Sequence, residues 1–291
     1  MKRIAILGCE NSHANNFLEF ICNTDKYRDV EVVGIYSNEP EAAKKLNEKF
    51  GVKILENYAD AQGKIDGLVI TARHGDLHYE YAKPYLDSGI PMFIDKPITI
   101  KADDAISFMR ELKTRGIKVS GGSSLKHDIG VKTLKREREE SVGGNTLGGF
   151  VRAPLNADNI YGGFYFYAPH LVEVVSEIFG RYPISVSAKR VENATYVEFN
   201  YDKYTAHGTF VDDNYVYYAC RFSDKSVNGM YLESTAEHNW FESEFDEFYA
   251  LLSGHDSPVS YEDLFSSVYV MNAIEKALAS GKEERVTYFG E

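Results

Sequence analysis

The stretch Pro91-Met92-Phe93-Ile94-Asp95-Lys96-Pro97 decides the fold. Residues 92–94 are an uninterrupted apolar run just after the turn signal Ser88-Gly89, the pattern of a strand buried inside a parallel sheet. An acid, a base and a proline stand at its carboxyl end, which is where an open α/β sheet binds its ligand. Pro97 stops the strand and fixes the local backbone, so that Lys96 is held in place. On these residues alone a solvated Asp-Lys pair at a strand end fits equally well, and the flanking segments decide between the two.

Upstream, residues 4–7 form a fully apolar strand ended by Gly8. Ala14, Phe17, Leu18 and Ile21 then fall at helical spacing, so a helix starts at about Ser12. Strand, glycine turn and helix open a dinucleotide-binding unit, whose helix N-terminus receives a pyrophosphate. The fingerprint G-x-G-x-x-G is reduced here to Gly8-Cys9-Glu10-Asn11-Ser12-His13, with only its first glycine. Asn11 and Ser12 can donate to a phosphate or simply cap the helix, and His13 is placed to face a phosphate. Residues 30–36 make the second strand. Ser37-Asn38 then caps a helix that has Pro40 at its start and Gly51 at its close. An acid at the end of this strand would hold the ribose 2′-hydroxyl of NAD. Ser37 and Asn38 are not acidic and Glu39 comes late, so the pattern favours NADP over NAD, although no arginine is present to clasp a 2′-phosphate.

Residues 67–70 are the next buried strand, followed by the loop Thr71-Ala72-Arg73-His74-Gly75-Asp76-Leu77-His78 and a helix over about 78–88. His74, Asp76 and His78 raise the question of a metal. Only His78 is expected in the helix, so the loop reads as cofactor-facing and no metal is expected. Ala105, Phe108, Met109 and Leu112 mark a further helix ended by Gly116, and residues 117–120 a further strand. Residues 1–122 thus alternate strand and helix throughout, a doubly wound parallel α/β domain.

A second domain is expected over residues 123–291. Residues 135–140 are a charge run on a solvated helix face, and residues 141–149 a glycine-rich, mobile turn. The aromatic segment 161–170 leads into a helix through Leu171, Val174, Val175 and Ile178, with His170 at its N-terminus and Gly180 at its end. From residue 184 onwards Val186, Ala188, Val197, Phe199 and Tyr201 alternate with polar residues, as do Tyr215, Tyr217 and Ala219, the sign of half-exposed antiparallel strands. Two helices, about 241–252 and 261–280, close the chain.

These motifs resemble the glucose–fructose oxidoreductase / inositol dehydrogenase / rhizopine-catabolism (Gfo/Idh/MocA) family. Ile94-Asp95-Lys96-Pro97 is similar to its Glu-Lys-Pro motif, with Asp for Glu. Thr71 and His78 match its Thr-Pro-x-x-x-x-His loop in spacing, with Ala72 for the proline. Gly162-Gly163 and His170 match its Gly-Gly-…-Asp-x-x-x-His segment, but Phe166 stands at the Asp position. The resemblance implies a Rossmann domain, then an α+β domain on an open, mostly antiparallel sheet. It also implies NAD(P)-dependent hydride transfer on a sugar, cyclitol or related polyol. Lys96 and His170 would be catalytic. Gly8, Glu10, Asn11, Ser12, His13, Ser37, Asn38, Thr71, Arg73, His74, His78, Asp95 and Lys96 would line the cofactor. Lys126, near the family's usual arginine, reaches substrate or is a solvated lysine, and Tyr165 and Tyr167 carry hydroxyls close to the missing carboxylate. Phe166 keeps two rivals open, a cofactor-binding sensor without turnover and a lyase or isomerase that recycles a bound cofactor.

Composition narrows the remaining classes. A formal net charge of −12 argues against a nucleic-acid partner. Cys9, Cys22 and Cys220 are an odd number without ligand spacing, which suggests reduced thiols in a cytoplasmic protein. No apolar run approaches membrane-spanning length, so neither anchor nor signal peptide is expected. The 21 tyrosines could line a sugar site or a subunit interface, and the resemblance implies a homo-oligomer, dimer or tetramer.

Overall fold

The computed structural model describes residues 1–290. In chain order the first half runs β1 (Lys2–Leu7), α1 (Ser12–Asn23), β2 (Val30–Tyr36), α2 (Pro40–Phe50), β3 (Gly67–Ile70), α3 (Asp76–Ala82), β4 (Met92–Asp95), α4 (Ala102–Arg115) and β5 (Val119–Gly122). The second half runs α5 (Ile129–Glu139), β6 (Thr146–Leu155), α6 (Phe164–Phe179), β7 (Ser185–Val191), β8 (Ala194–Asn200), β9 (Thr205–Asp212), β10 (Tyr218–Ser223), β11 (Val227–Tyr231), α7 (Trp240–Leu252), α8 (Tyr261–Ser280) and β12 (Glu284–Arg285). The chain divides into two compact units. One comprises Met1–Thr99, Asp104–Gly122 and Phe241–Leu264; the other Ile100–Asp103, Ser123–Trp240 and Phe265–Glu291. A single cut between 122 and 123 therefore misplaces Phe241–Leu264, which packs with the first unit.

The first unit is a five-stranded parallel sheet in the order β2-β1-β3-β4-β5. These five strands correspond to the five segments read from the sequence, and the segment beyond α2 adds only a single bridge, Ile35 to Ile54. The strands β3 and β4 are buried along their whole length, as continuous apolar runs inside a parallel sheet must be. Helix α3 starts at Asp76, two residues before expectation, and Lys83–Ser88 continues it as a 3₁₀ turn around Pro84. Phe245, Phe248 and Leu251 of α7 join Phe17, Tyr27 and Phe93 in one buried cluster. Each large side chain so covered contributes about 1.5–3 kcal/mol.

The second unit is built on a seven-stranded sheet, order β11-β10-β6-β9-β8-β7-β12, in which only the β6–β9 pair is parallel. The rest is antiparallel, an open mostly antiparallel sheet. Helix α6 lies close on it. A Cβ on Gly149 would come within 2.1 Å of Phe179 and one on Gly208 within 2.7 Å of Leu171, so glycine at these strand positions admits the helix. Gly148 and Gly149 thus belong to a strand, and the 141–149 segment is no loose turn. The buried Arg221 guanidinium donates to the carbonyls of Val142 and Gly144 at 3.1 and 2.7 Å and fastens that segment down.

Candidate active site

In the first unit everything converges on the carboxyl ends of β1, β3 and β4. Gly8 has φ +82°, and its missing Cβ lets the Ala72 backbone approach. Thr71 donates its hydroxyl to the Gly8 carbonyl at 3.0 Å, locking the loop after β3 against the turn after β1. His78 is fully buried, and its Nε2 lies 2.7 Å from the Ala72 carbonyl. Burial lowers its pKa to about 4, so the ring is neutral and donates there. Expected on the cofactor, His78 instead stands behind the loop and shapes it. His74 is half-buried, with Nδ1 accepting from the Asp76 amide at 3.4 Å.

The truncated glycine motif has a physical account in these contacts. Glu10, at the second glycine position, turns its buried carboxylate sideways, accepting from the Ser37 hydroxyl at 2.6 Å and the Arg73 amide at 2.9 Å. The end of β2 therefore carries an acid after all, delivered from the turn after β1. His13, at the third, is 3% exposed and so cannot face a phosphate in this arrangement; its ring packs against Phe17, Phe93 and Phe241. Asn11 caps α1 through its own side chain, which accepts from the His13 amide, while its Nδ2 donates to Asp95 Oδ2 at 2.8 Å. Ser12 and Asn38 are exposed.

At the end of β4, Asp95 is fully buried and Lys96 is 4% exposed, with the Lys96 amide donating to Asp95 Oδ1 at 2.7 Å. Burial pushes the Asp95 carboxyl up to about 6, against the opposing pull of His13 and Lys96. The Lys96–Pro97 bond is cis.

A dinucleotide fits this frame. The helix N-terminus at Asn11 and Ser12 is the kind of end that takes a pyrophosphate. A depression of about 590 Å³ borders it, lined by Glu10, Asn11, Ser12, Glu39, Lys45 and Arg73 among others. No group of three or more His, Cys, Asp or Glu among the described residues is arranged to hold a metal ion.

In the second unit the aromatic segment is helical from Phe164 onwards, so His170 sits inside α6 and not at its N-terminus. Its Nδ1 lies 2.7 Å from the Ser123 hydroxyl, and the Ser123 amide donates to Glu173 Oε2 at 2.7 Å. Burial raises the Glu173 carboxyl to about 7. Tyr217 stands edge-on to the His170 ring at 6.0 Å and Tyr167 is tilted to it at 6.3 Å. Phe166 packs on Tyr161 and Tyr167. Tyr165, expected towards substrate, is 5% exposed and spends its hydroxyl on Glu275 Oε2 at 2.8 Å, so it is a packing residue. Lys126 lies in the short 3₁₀ turn Ser124–His127 and is half-buried. Ser123 and Glu173 went unnoticed in the sequence, as did Glu244 of α7, a buried acid whose Oε2 lies 3.1 Å from His13 Nε2; a serine just after Gly121-Gly122 was the one visible sign.

Residues 2–123 match the oxidoreductase family with an NAD-binding Rossmann fold, GFO_IDH_MocA. Among curated proteins, the uncharacterized oxidoreductase YhhX of Escherichia coli (strain K12) is 26% identical over 126 residues, 39% of this chain and 35% of that protein. The chain thus matches little more than a third of that relative's length. Among solved structures, the scyllo-inositol dehydrogenase of Lactobacillus casei with bound NAD(H) and scyllo-inositol superposes with a TM-score of 0.82 at 14% identity, over 98% of this chain and 99% of that one. A myo-inositol dehydrogenase of Corynebacterium glutamicum gives 0.80 at 17% identity, over 99% of each chain. At such identities the likeness is one of fold, and it extends over both units. No helix among the described residues is long and apolar enough to cross a membrane. Residues 2–123 thus match the Gfo/Idh/MocA oxidoreductases in their NAD-binding Rossmann fold.

Proposed function

We propose that this protein is an NAD(H)-dependent oxidoreductase that moves a hydride between nicotinamide and the hydroxyl- or carbonyl-bearing carbon of a cyclitol, sugar or related polyol. The observation that carries this reading is the buried Asp95-Lys96 pair at the carboxyl end of β4, with the Lys96 amide fastened to Asp95. The nicotinamide, when bound, supplies the hydride acceptor or donor. Gly8, Asn11 and Ser12 would hold the pyrophosphate, and Glu10 with Ser37 the adenosine ribose. A carboxylate beside Ser37 repels a 2′-phosphate, so this reading prefers NAD(H) and reverses the preference for NADP drawn from sequence.

Lys96 binds the substrate oxygen and exchanges its proton. His170 is the second proton carrier, its ring held by the Ser123 hydroxyl where the family pattern has a carboxylate. Tyr167 and Lys126 remain candidates for substrate contacts. The Ser123 contact favours turnover over a silent cofactor-binding sensor, because it gives His170 the orienting partner that Phe166 cannot. The reading also takes the protein to be a cytoplasmic homo-oligomer, whose size light scattering on the purified chain would give.

The test is an NAD⁺-reduction screen over inositols, sugars and sugar acids, followed at the absorbance of NADH. Lys96→Met should abolish turnover while leaving NAD(H) affinity within about threefold, roughly 0.65 kcal/mol. A variant that keeps near-normal kcat would make Lys96 a structural lysine and remove the basis of this reading.

A further inference from the structure

Helix α6 is buried from Ala168 to Phe179, and His170 and Glu173 stand three residues apart on it, which puts them on one face. Both reach the same residue. His170 Nδ1 lies 2.7 Å from the Ser123 hydroxyl, and Glu173 Oε2 accepts from the Ser123 amide at 2.7 Å. Ser123 is fully buried and Glu173 is 8% exposed. The histidine meets the side chain of the serine and the glutamate meets its backbone, so α6 grips Ser123 at two points.

The backbone contact has a physical reason. Ser123 directly follows Gly122, the last residue of β5, and its amide takes Glu173 as acceptor instead of a strand carbonyl. A buried amide must be paired, and an apolar residue at position 173 would leave this one orphaned. A carboxyl in that place gives up its water, which is costly among the apolar side chains of α6. The charged groups acting on it are Lys126, Arg181 and Glu177, the last paired with Lys135, and burial outweighs them. Glu173 Oε1 makes no hydrogen bond, so a proton taken up there leaves Oε2 free to accept. The grip on the amide therefore holds in either charge state of the acid.

A hydroxyl can orient a ring only as firmly as its own backbone is held. Ser123 also opens the 3₁₀ turn Ser124–His127: the Leu125 amide donates to Ser123 Oγ at 3.3 Å and the Lys126 amide to the Ser123 carbonyl at 3.2 Å. One serine thus seats both His170 and the turn that carries Lys126. We propose that Glu173 is a positioning residue, which fixes the Ser123 backbone through its amide and thereby sets the orientation of His170 and the seat of the Lys126 turn. Its meaning for turnover rests on the part given to His170 above; the effect on Ser123 and on the His170 ring does not.

The experiment compares two variants of the full ¹⁵N-labelled chain, free of cofactor and substrate. Glu173→Leu keeps an apolar helix face and removes the acceptor; Glu173→Gln keeps a carbonyl oxygen that can accept. Two quantities are read, the exchange rate of the Ser123 amide and the pH response of the His170 ring nitrogens, the latter assigned by their loss in His170→Asn. In Glu173→Leu the Ser123 amide should exchange at least tenfold faster, with the amides of β8 unchanged, and the His170 response should move by half a pH unit or more. In Glu173→Gln both should stay close to wild type. A folded Glu173→Leu with an unchanged Ser123 amide overturns the grip, and a freed amide with an unmoved His170 ring makes Glu173 a structural residue only. A Glu173→Gln as disturbed as Glu173→Leu also overturns the proposal, because the acceptor oxygen would then not be what acts. Should Glu173→Leu not fold, Glu173→Asp, whose shorter side chain withdraws the acceptor, is read in the same two ways. Once a substrate is found, Glu173→Leu should lower kcat tenfold or more at nearly constant KM, and Glu173→Gln should recover most of it. A failed oxidoreductase screen would leave the two spectroscopic results standing.

Discussion

Replacing Gly8 by alanine should damage this protein more than its small size suggests. The new Cβ would stand 2.2 Å from the Ala72 nitrogen, 2.3 Å from its Cα and 2.6 Å from its Cβ. Ordinary contact begins near 3.4 Å, so a backbone segment, and not the tip of a side chain, must retreat by more than an ångström. Three costs arise together. The left-handed φ of +82° costs an L-residue roughly 1–2 kcal/mol. Overpacking against fixed backbone typically costs 1–3 kcal/mol. Separating Thr71 from the Gly8 carbonyl forfeits a buried hydrogen bond, about 1 kcal/mol. Gly51→Ala is the control, since Gly51 has φ +71° but nothing within 4 Å of its would-be Cβ. Only the first cost applies there. Urea unfolding of both variants, followed by circular dichroism, should place Gly8→Ala about 2–4 kcal/mol below Gly51→Ala. The displaced loop should also weaken NAD(H) binding at least tenfold in the first variant and leave it intact in the second. Equal stabilities for the two variants would refute the argument, for then the loop after β3 yields freely and does not brace the turn after β1.

Three further outcomes are expected. Glu10→Gln should strengthen NADP(H) binding by about tenfold, roughly 1.4 kcal/mol, with little change for NAD(H), as measured by fluorescence titration with both cofactors; equal gains for the two would mean that Glu10 does not read the ribose. Ser123→Ala leaves His170 Nδ1 without its hydroxyl partner and should lower kcat tenfold or more with KM nearly constant, whereas Ser123→Thr should restore most of it. Glu173, raised from 4.5 to about 7, binds its proton more tightly in the folded chain. Its stabilising contribution is complete below about 4.5 and is lost as pH rises through about 7, a span of up to ~3 kcal/mol. Wild type should therefore lose more stability than Glu173→Gln between pH 4.5 and 8, and parallel pH–stability curves would contradict the buried acid.

Legibility of the sequence followed how local each cause is. The strands β3 and β4 were readable because burial on both faces forces an unbroken apolar run, and Gly51 announced the end of α2 because a left-handed cap selects glycine. Asp95 and Lys96 were readable because they follow such a run. Glu10 was seen in its loop, but its reach to Ser37 depends on how the turn after β1 meets the end of β2, which leaves no periodic trace. Gly148 and Gly149 look like a turn and are a strand, since the demand for glycine comes from α6 above them. Glu244 was invisible for the same reason. On an amphipathic helix an acid is expected to face water, whereas this one is buried with its Oε2 3.1 Å from His13 Nε2.

The late arrival of α7 has a consequence for how the molecule is made. Phe245 and Phe248, which complete the cluster around Phe17 and Phe93, are encoded after the whole stretch Ser123–Trp240. At about 5–20 residues per second, a ribosome spends roughly 6–24 s on that stretch. Throughout that interval the nascent N-terminal sheet has its strands but lacks one wall of its aromatic cluster. A polypeptide ending at Gly122 would stay in that condition permanently, a sticky fragment suited to chaperones and not to nucleotide capture. Vectorial synthesis thus makes the cofactor-binding half, first off the ribosome, the half that waits to be finished.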